Sequence, residues 1–442
     1  MSATAERLIL FTRYPEPGAA KTRLISVLGP EGAAEFQRRL TEHAAKAAEE
    51  ARSKRALSLE VRHEGGSEAL MRQWLGGKFS FRPQGRGDIG TRMEQSLGAA
   101  FAEEAERVVL IGSDIPGLTS ATIIQAFAAL GHHDLVFGPA ADGGYYLIGT
   151  TAGCFQRGTP YFGQGVGWGG PGVLTRTLGM VRDGRLTYTL LETLADVDRP
   201  QDLSAAIQAL CRERDRPVLS VVIPALNEAG QLVETLSVLA RNPGVEVIVV
   251  DGGSTDATAA IARRAGLRTL MTRPPRSIQM NAGAAVANAD VLLFLHADTR
   301  LPHEFQEQVR RILAQARVAA GAFHLQIDAP GAGLRLIERV ANWRSSWLQM
   351  PYGDQALFLR RDLFWKAGAF ASIPIMEDFE LVQRLKRRGR IVLAPGKAST
   401  SARRWLKLGA LRTWLINQLV IGAYCAGVAP QRLAVWYRGK NR

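Results

Sequence analysis

The stretch Val247-Ile248-Val249-Val250-Asp251-Gly252-Gly253-Ser254-Thr255-Asp256 decides how this chain is read, together with Val291-Leu292-Leu293-Phe294-Leu295-His296-Ala297-Asp298 further on. Each opens with an apolar run too short for a helix and reaches an aspartate followed by turn or helix-start residues. Such a run predicts a buried parallel strand, and ligands of open α/β sheets gather at the carboxyl ends of those strands. Two carboxylates at two strand ends form a place for a divalent cation and a phosphorylated ligand. Either aspartate alone reads equally well as a helix N-cap. The residues around them favour the ligand site.

A chain of 442 residues suits two or three domains. Its 46% hydrophobic and 22% charged content describes globular units with sizeable cores. Cys154, Cys211 and Cys425 lie far apart without metal-ligand spacing, which fits a reducing cytoplasm. A strand-like run, Leu8 to Phe11, comes early, and no signal peptide is expected before it. The net charge of +14 is uneven: residues 1–216 hold 25 Lys and Arg against 25 Asp and Glu, and residues 217–442 hold 30 against 16. No nucleic-acid motif accompanies this excess, so nucleic acid is not the expected partner. Anionic nucleotide substrates or a negatively charged membrane surface account for it better.

The charged segment Cys211 to Arg216, closed by Pro217, separates a helical stretch (Leu203 to Leu210) from a new strand, Leu219 to Ile223. It divides the chain into expected domains 1–212 and 217–442. Both sides follow one plan. A first strand meets a proline loop (Pro15; Pro224), an amphipathic helix follows, and a later strand leads to Asp114 or Asp298, with Pro116 or Pro302 soon after. Alternating strands and helices imply α/β domains with mostly parallel sheets covered on both faces.

Six ordered motifs then give the second half a family. They are Val222-Ile223-Pro224-Ala225-Leu226-Asn227-Glu228, Asp251 to Asp256, Asn281-Ala282-Gly283, His296-Ala297-Asp298, Gly353-Asp354-Gln355 and Glu377-Asp378. Residues 219–405 resemble the family-2 glycosyltransferases. Within that family they look closest to a subgroup associated with radical-enzyme and selenium-related gene clusters, some called arsenosugar glycosyltransferases. The resemblance implies a Rossmann-like GT-A fold that binds a nucleotide-diphospho-sugar with Mg or Mn. It puts Asp298 on the cation, Asp251 on the nucleobase or ribose, and Pro224, Asn227 and Glu228 beside the nucleotide. Arg273, Arg276 and the small-residue run Asn281 to Ala285 suit a phosphate-facing loop. Asp378 would be the base for the acceptor hydroxyl, implying one in-line displacement with inversion. Asp354, Gln355, Glu377, Arg404 and Trp405 would lie near the acceptor or diphosphate. His296 stands where the family has the first Asp of Asp-x-Asp, either as a metal ligand or as a hydrogen-bonding group. Arg404-Trp405 matches the end of a Gln-x-x-Arg-Trp motif, but Ser401 replaces its Gln, against processive synthesis. The nearly uncharged tail Trp414 to Ala429 is shorter than the ~20 residues a bilayer span needs. It reads as a packed or interfacial helix.

In the first half, Leu8 to Phe11 runs into a Pro/Gly loop containing Gly18 and then a helix opening with Lys21, Thr22 and Arg23. Loop N–H groups and two cations make an anion cradle without Walker spacing. With Ser113-Asp114-Ile115-Pro116, Asp142-Gly143-Gly144-Tyr145-Tyr146 and Asp196-Val197-Asp198, this resembles a family related to the molybdenum-cofactor and phospholactate nucleotidyltransferases. The likeness implies Mg on Asp114 and Asp198, with Lys21 and Arg23 neutralising a nucleoside triphosphate attacked by a sugar phosphate. The expected protein is a bifunctional cytoplasmic enzyme with peripheral membrane contact through its basic half. Its first domain makes or binds a nucleotide sugar, and its second transfers the sugar to a small-molecule or lipid acceptor. The alternatives are a degenerate nucleotide-binding first domain, a non-catalytic regulator, and a nucleic-acid binder.

Overall fold

Short apolar runs alternating with helix-forming stretches build two sheets in the computed structural model, which describes residues 5–162, 166–168, 172–210, 217–239, 242 and 244–440. The expected junction, 211–216, lies outside the described residues. The chain separates into two compact units, one of Met1–Lys21 with Ala34–Asp202 and the other of Thr22–Ala33 with Leu203–Arg442. Thr22–Ala33 and the helix Leu203–Leu210 thus leave the expected first domain and belong to the second unit.

The first unit contains β1 (Glu6–Arg13), β2 (Ser58–Glu64), β3 (Ser80–Pro83), β4 (Arg107–Gly112), β5 (Leu135–Pro139), β6 (Tyr145–Thr151) and β7 (Tyr188–Leu190), in the order β3-β2-β1-β4-β6-β5-β7. Its strands through β4 pair in parallel, β6 is antiparallel to β4 and β5, and β7 is parallel to β5. The second unit contains β8 (Leu219–Ala225), β9 (Val245–Asp251), β10 (Arg268–Met271), β11 (Val291–Phe294), β12 (Thr299–Arg300), β13 (Val318–Asp328), β14 (Phe358–Arg360) and β15 (Arg390–Ser401). Their order is β10-β9-β8-β11-β14-β13-β15-β12. Its first six pairings repeat the same succession, three parallel, two antiparallel and one parallel, before the antiparallel β12. The expected α/β architecture with mostly parallel sheets is the one observed.

Alternation along β8 and β9 sends Val221, Ile223, Val247 and Val249 into one core with Leu232 and Phe305. The helix Arg276–Val286 covers the other face, and every residue from Ser277 to Val286 is buried. The run expected to form a phosphate-facing loop is therefore the interior of a helix. A Cβ on Gly283 would lie 2.4 Å from Val222 Cγ1 and 3.0 Å from Val250 Cγ2, so glycine is required for helix-to-sheet contact rather than for phosphate. Asn281 is spent on structure too. Its Nδ2 donates to the carbonyls of Val27 (3.0 Å) and Phe370 (2.9 Å), and its Oδ1 accepts from Phe370 N (3.0 Å). The segment around Val27 packs tightly on this helix, for Cβ atoms on Gly29 and Gly32 would come within 2.6 Å of Ile278 and 2.8 Å of Ala282.

The tail differs from the expected single helix ending at Ala429. One helix runs Ala410–Cys425, the chain turns at Gly427 (φ 86°), and a second helix runs Pro430–Lys440. No described helix is long and apolar enough to cross a membrane.

A fragment beginning at Leu203 lacks Val27 and strands one Asn281 amide hydrogen in the core. It should unfold in urea with about 1–3 kcal/mol less stability than the same unit in the whole chain. Tryptophan fluorescence reads this unit, because six of the 8 tryptophans follow Pro217. An unchanged midpoint would make Thr22–Ala33 dispensable.

Candidate active site

Strands β8, β9 and β11 run parallel, so their carboxyl ends open on one edge, where Asn227, Glu228, Asp251, His296 and Asp298 follow. Asp251 is fully buried. Its Oδ1 accepts from Ser254 N (3.0 Å) and Ser254 Oγ (2.6 Å), while its buried Oδ2 has no partner. A buried carboxylate oxygen with unused capacity suits a ligand hydroxyl or N–H. Asn227, in left-handed conformation (φ 55°), ties two loops instead: its Oδ1 accepts from Thr255 N (2.8 Å) and its N donates to Ser254 Oγ (2.8 Å). Asp256 accepts from Thr258 N and Ala229 N, which makes it a cap.

Glu228 and Asp298 meet through a residue the sequence reading missed. Arg403 donates to Glu228 Oε2 at 2.6 Å and to Asp298 Oδ2 at 3.3 Å. Burial raises the Glu228 carboxyl above its usual value, Arg403 pulls it back, and Asp298 and Asp256 push it further up. The available signal was the doubled arginine, of which the motif drew attention only to Arg404. Arg404 itself donates to Asn417 Oδ1 (3.1 Å) and lies 4.5 Å over the Tyr437 ring, while Trp405 packs against a core of Leu334, Ile337 and Ala402. Arg404 and Trp405 thus fasten the tail.

A cleft beside this edge is lined by Pro224, Arg276, His296, Gly353, Glu377 and Asp378, among others. Gly353 permits the close approach, since a Cβ there would lie 2.9 Å from His296 Nε2 and 3.2 Å from Asp378 Oδ2. Arg276 lies 3.1 Å from His296 Nε2. Guanidinium can only donate, so this nitrogen accepts and carries no proton. Burial, helped by the Arg276 charge, pulls the imidazole down to about 3, and His296 is neutral at neutral pH. Its lone pair is engaged by Arg276, which weighs against its expected metal role.

Glu377 and Asp378 open the helix Glu377–Lys386, whose preceding Met376 has φ 71° and supplies no side-chain cap. Both line the cleft. Asp378 Oδ2 accepts from Gly353 N (2.6 Å) and Oδ1 from Phe379 N (2.7 Å). Burial raises the Glu377 carboxyl, Asp378 adds to the rise, and Arg276 opposes it. Burial lifts Asp354 to about 6, against Arg344 and with help from Asp378, and its buried Oδ1 has no partner. Gln355 is structural: its Oε1 accepts from Ser345 Oγ (2.7 Å) and its Nε2 donates to the Phe323 carbonyl (3.0 Å).

In the first unit, Lys21 Nζ lies 3.1 Å from Asp114 Oδ2, 3.2 Å from Asp198 Oδ1 and 2.6 Å from the Val197 carbonyl. Its backbone holds a left-handed φ of 45°, strain that these bonds sustain. Burial alone would lower the ammonium, but Asp114 and Asp198 produce a net rise. Asp114 falls below 3.8, chiefly through Lys21 and against burial. Asp196 moves up, by burial first and then by repulsion from Asp142. Asp142 Oδ1 also accepts from Gly144 N (2.8 Å), shaping a turn through Gly143 (φ 91°). Gly18 (φ 85°) leaves open space beside its Cα. Arg23 is exposed on the turn Thr22–Leu24 and falls in the second unit, across the division from Lys21.

Among the described residues no three His, Cys, Asp or Glu side chains are arranged to hold a metal. What the fold provides is a carboxylate pair converging on one positive charge, twice. That donor set fits an ion such as Mg, which commonly takes one or two carboxylates and completes its shell with phosphates and water. A metal would replace a side-chain cation in either pair.

Both units are α/β folds in which acidic side chains gather around a side-chain cation. Residues 220–372 match Glycosyl transferase family 2, and residues 44–169 match a family described as "Uncharacterized protein conserved in bacteria (DUF2064)". The chain therefore carries a family-2 glycosyltransferase domain in its second half and a DUF2064 domain in its first. It is 28% identical over 208 residues to the succinoglycan biosynthesis protein ExoA of Rhizobium meliloti, covering 40% of this chain and 61% of that one. It is 38% identical over 94 residues to a PGL/p-HBAD biosynthesis glycosyltransferase of Mycobacterium bovis, covering 19% and 37%. The chain thus spans less than two thirds of either relative's length. A crystal structure of a proposed nucleotide-diphospho-sugar transferase from Desulfovibrio desulfuricans G20 is 32% identical, with 48% of this chain and 91% of that one covered and a TM-score of 0.44.

The Lys21 bridge has a pH signature. The Asp114 share of stability is present above its ordinary value of 3.8 and lost as pH falls through the lowered folded value. The Lys21 share is present below 10.5 and lost as pH rises through the raised folded value. Lys21→Met should remove roughly 1–2 kcal/mol at neutral pH, a figure discounted because both aspartates are partly open to solvent. Urea melts of variant and parent should converge in acid; a deficit that persisted there would contradict the ionic account.

Proposed function

We propose that the second unit is a metal-dependent, inverting glycosyltransferase that takes a nucleotide sugar and delivers the sugar to a hydroxyl of a small-molecule or lipid acceptor. The observation that carries this reading is the shared Arg403 bridge, which gathers Glu228 and Asp298 from two strand ends beside the unpartnered Asp251 Oδ2. Asp251 would hold the nucleoside through that oxygen. Glu228 and Asp298 would hold Mg or Mn, which when bound helps neutralise the departing diphosphate. Arg276 has a neutral imidazole as its hydrogen-bond partner, so its full charge is available to the same diphosphate. Asp378 would accept the proton from the acceptor hydroxyl as that oxygen bonds to the sugar carbon and the bond to the diphosphate breaks. Displacement from the opposite face inverts the carbon. Two backbone N–H groups fix the Asp378 carboxylate for this task.

The first unit, in the same proposal, forms or binds the nucleotide sugar from a nucleoside triphosphate and a sugar phosphate. A second reading of this unit is a nucleotide-binding module without catalysis, in which Lys21 stays between Asp114 and Asp198. The chain as a whole is read as cytoplasmic, with Cys154 and Cys425 as free thiols, and as touching a membrane peripherally.

Thermal shift with a panel of nucleotide sugars plus Mg or Mn is the first test, since ligand stabilises what binds it. Asp378→Asn should keep nucleotide-sugar affinity while transfer falls at least ~100-fold. Asparagine presents one oxygen to two N–H donors, so a small loss of melting temperature is expected beside the kinetic loss. Transfer within a few-fold of the parent would move the base elsewhere, with Glu377 the next side chain in the cleft. For the first unit, pyrophosphate release should drop by orders of magnitude in Lys21→Ala and Asp114→Asn. Absence of pyrophosphate release from the parent with every triphosphate and sugar phosphate tried would leave the binding module.

A further inference from the structure

Seven exposed apolar side chains of the second unit fall into two stripes. In the helix Ala332–Trp347, Leu334, Ile337, Ala341 and Ser345 form the buried face. Leu336, Val340, Trp343 and Trp347 recur at intervals of four, three and four, which puts them on an arc of roughly 60° on the opposite side. Trp343 is 58% exposed and Trp347 is 75% exposed. The helix Ala410–Cys425 repeats the pattern. Thr413, Ile416 and Val420 are buried, while Leu411, Leu415 and Leu419 line its outer side, Leu411 at 69%. The two helices pack together, and Trp405 and Trp414 lie against the core beneath the first. Single exposed leucines are ordinary; apolar stripes on two adjoining helices mark an interaction surface.

Charge selects the occupant. Residues 381–442 hold 14 of the 55 Lys and Arg and none of the 41 Asp and Glu, which equals the whole net charge of +14. A second copy would bring two such surfaces together against their own repulsion. An anionic lipid surface satisfies both features: leucine and tryptophan enter the headgroup–acyl boundary, and exposed Arg339, Lys407 and Arg412 beside the stripes meet the phosphates. We propose that the second unit docks on an anionic bilayer through these stripes, lying on its surface. This rests on the functional reading only in making the bilayer a source of acceptor. The short helix Arg403–Leu408 links the two, for Arg403 holds Glu228 and Asp298 while Leu406 is exposed on the same helix.

The test is co-sedimentation of the full chain with vesicles of equimolar phosphatidylglycerol and phosphatidylcholine, and with phosphatidylcholine alone. Binding should require the anionic lipid and weaken with salt. Trp343→Ser with Trp347→Ser, or Leu415→Ser with Leu419→Ser, should lower it at least ~10-fold without shifting the melt, because these side chains leave the core untouched. The proposal is overturned by no binding to anionic vesicles, or by binding that both double variants retain. It is equally overturned by a solution dimer that the tryptophan pair dissolves, which would give the face to a second copy. Sedimentation reads no sugar transfer, so its failure leaves the glycosyltransferase reading standing. Vesicle binding by a chain unable to bind any nucleotide sugar would remove that reading and keep this one.

Discussion

A helix with no solvent face governs the second unit. Arg276–Val286 lies wholly buried after its first residue, and a helix so placed must be thin. Ala282, Gly283, Ala284 and Ala285 supply that thinness, and Gly283 touches the sheet where any side chain would collide with Val222. Close packing leaves little freedom to slide, so the helix start is fixed relative to the strand ends. Arg276 stands at that start, within hydrogen-bond reach of His296 after β11. The same packing makes Asn281 a buried clasp on Phe370 and Val27, bringing a piece of early sequence into the second unit. The electrostatics of the cleft thus descend from the volume of a few small residues.

The second governing feature is what carboxylates at strand ends do to one another. Crowded and partly dehydrated, they resist ionisation, as Glu228, Asp196, Glu377 and Asp354 do. A cation shared between two of them opposes the penalty. Lys21 stands between Asp114 and Asp198, and Arg403 between Glu228 and Asp298. The arrangement leaves the cleft and its surroundings unevenly charged: in the cleft Asp378 takes two backbone donors and His296 carries no charge, and next to Gly353 burial lifts Asp354 toward neutrality.

Much of the architecture was legible because it rests on local pattern. The Val247 to Asp251 and Val291 to Phe294 runs are strands for the reason the sequence suggested, apolar side chains buried on both faces of a parallel sheet. The carboxyl-end aspartates followed from the same rule. Small polar and glycine residues were harder. Asn281, Gly283, Gln355 and Asn227 sit in ligand-like motifs, yet three of them spend their hydrogen bonds on backbone or neighbouring side chains and the fourth is a packing contact. Sequence spacing does not distinguish a glycine that admits a phosphate from one that admits a valine methyl. Arg403 was invisible for a different reason: its partners lie 175 and 105 residues away, and only the folded β15 brings them together.

That long reach also explains why the two halves look alike without aligning. Their sheets pair strands in the same succession, and in each a strand leads to an aspartate that needs a neutralising cation. The cation comes from different places. In the first unit it is Lys21, on the loop just after the first strand, whereas in the second it is Arg403, just after β15 near the far end of the sheet. A shared backbone plan fixes where negative charge collects, and each unit is then free to answer that charge from whichever element passes close by.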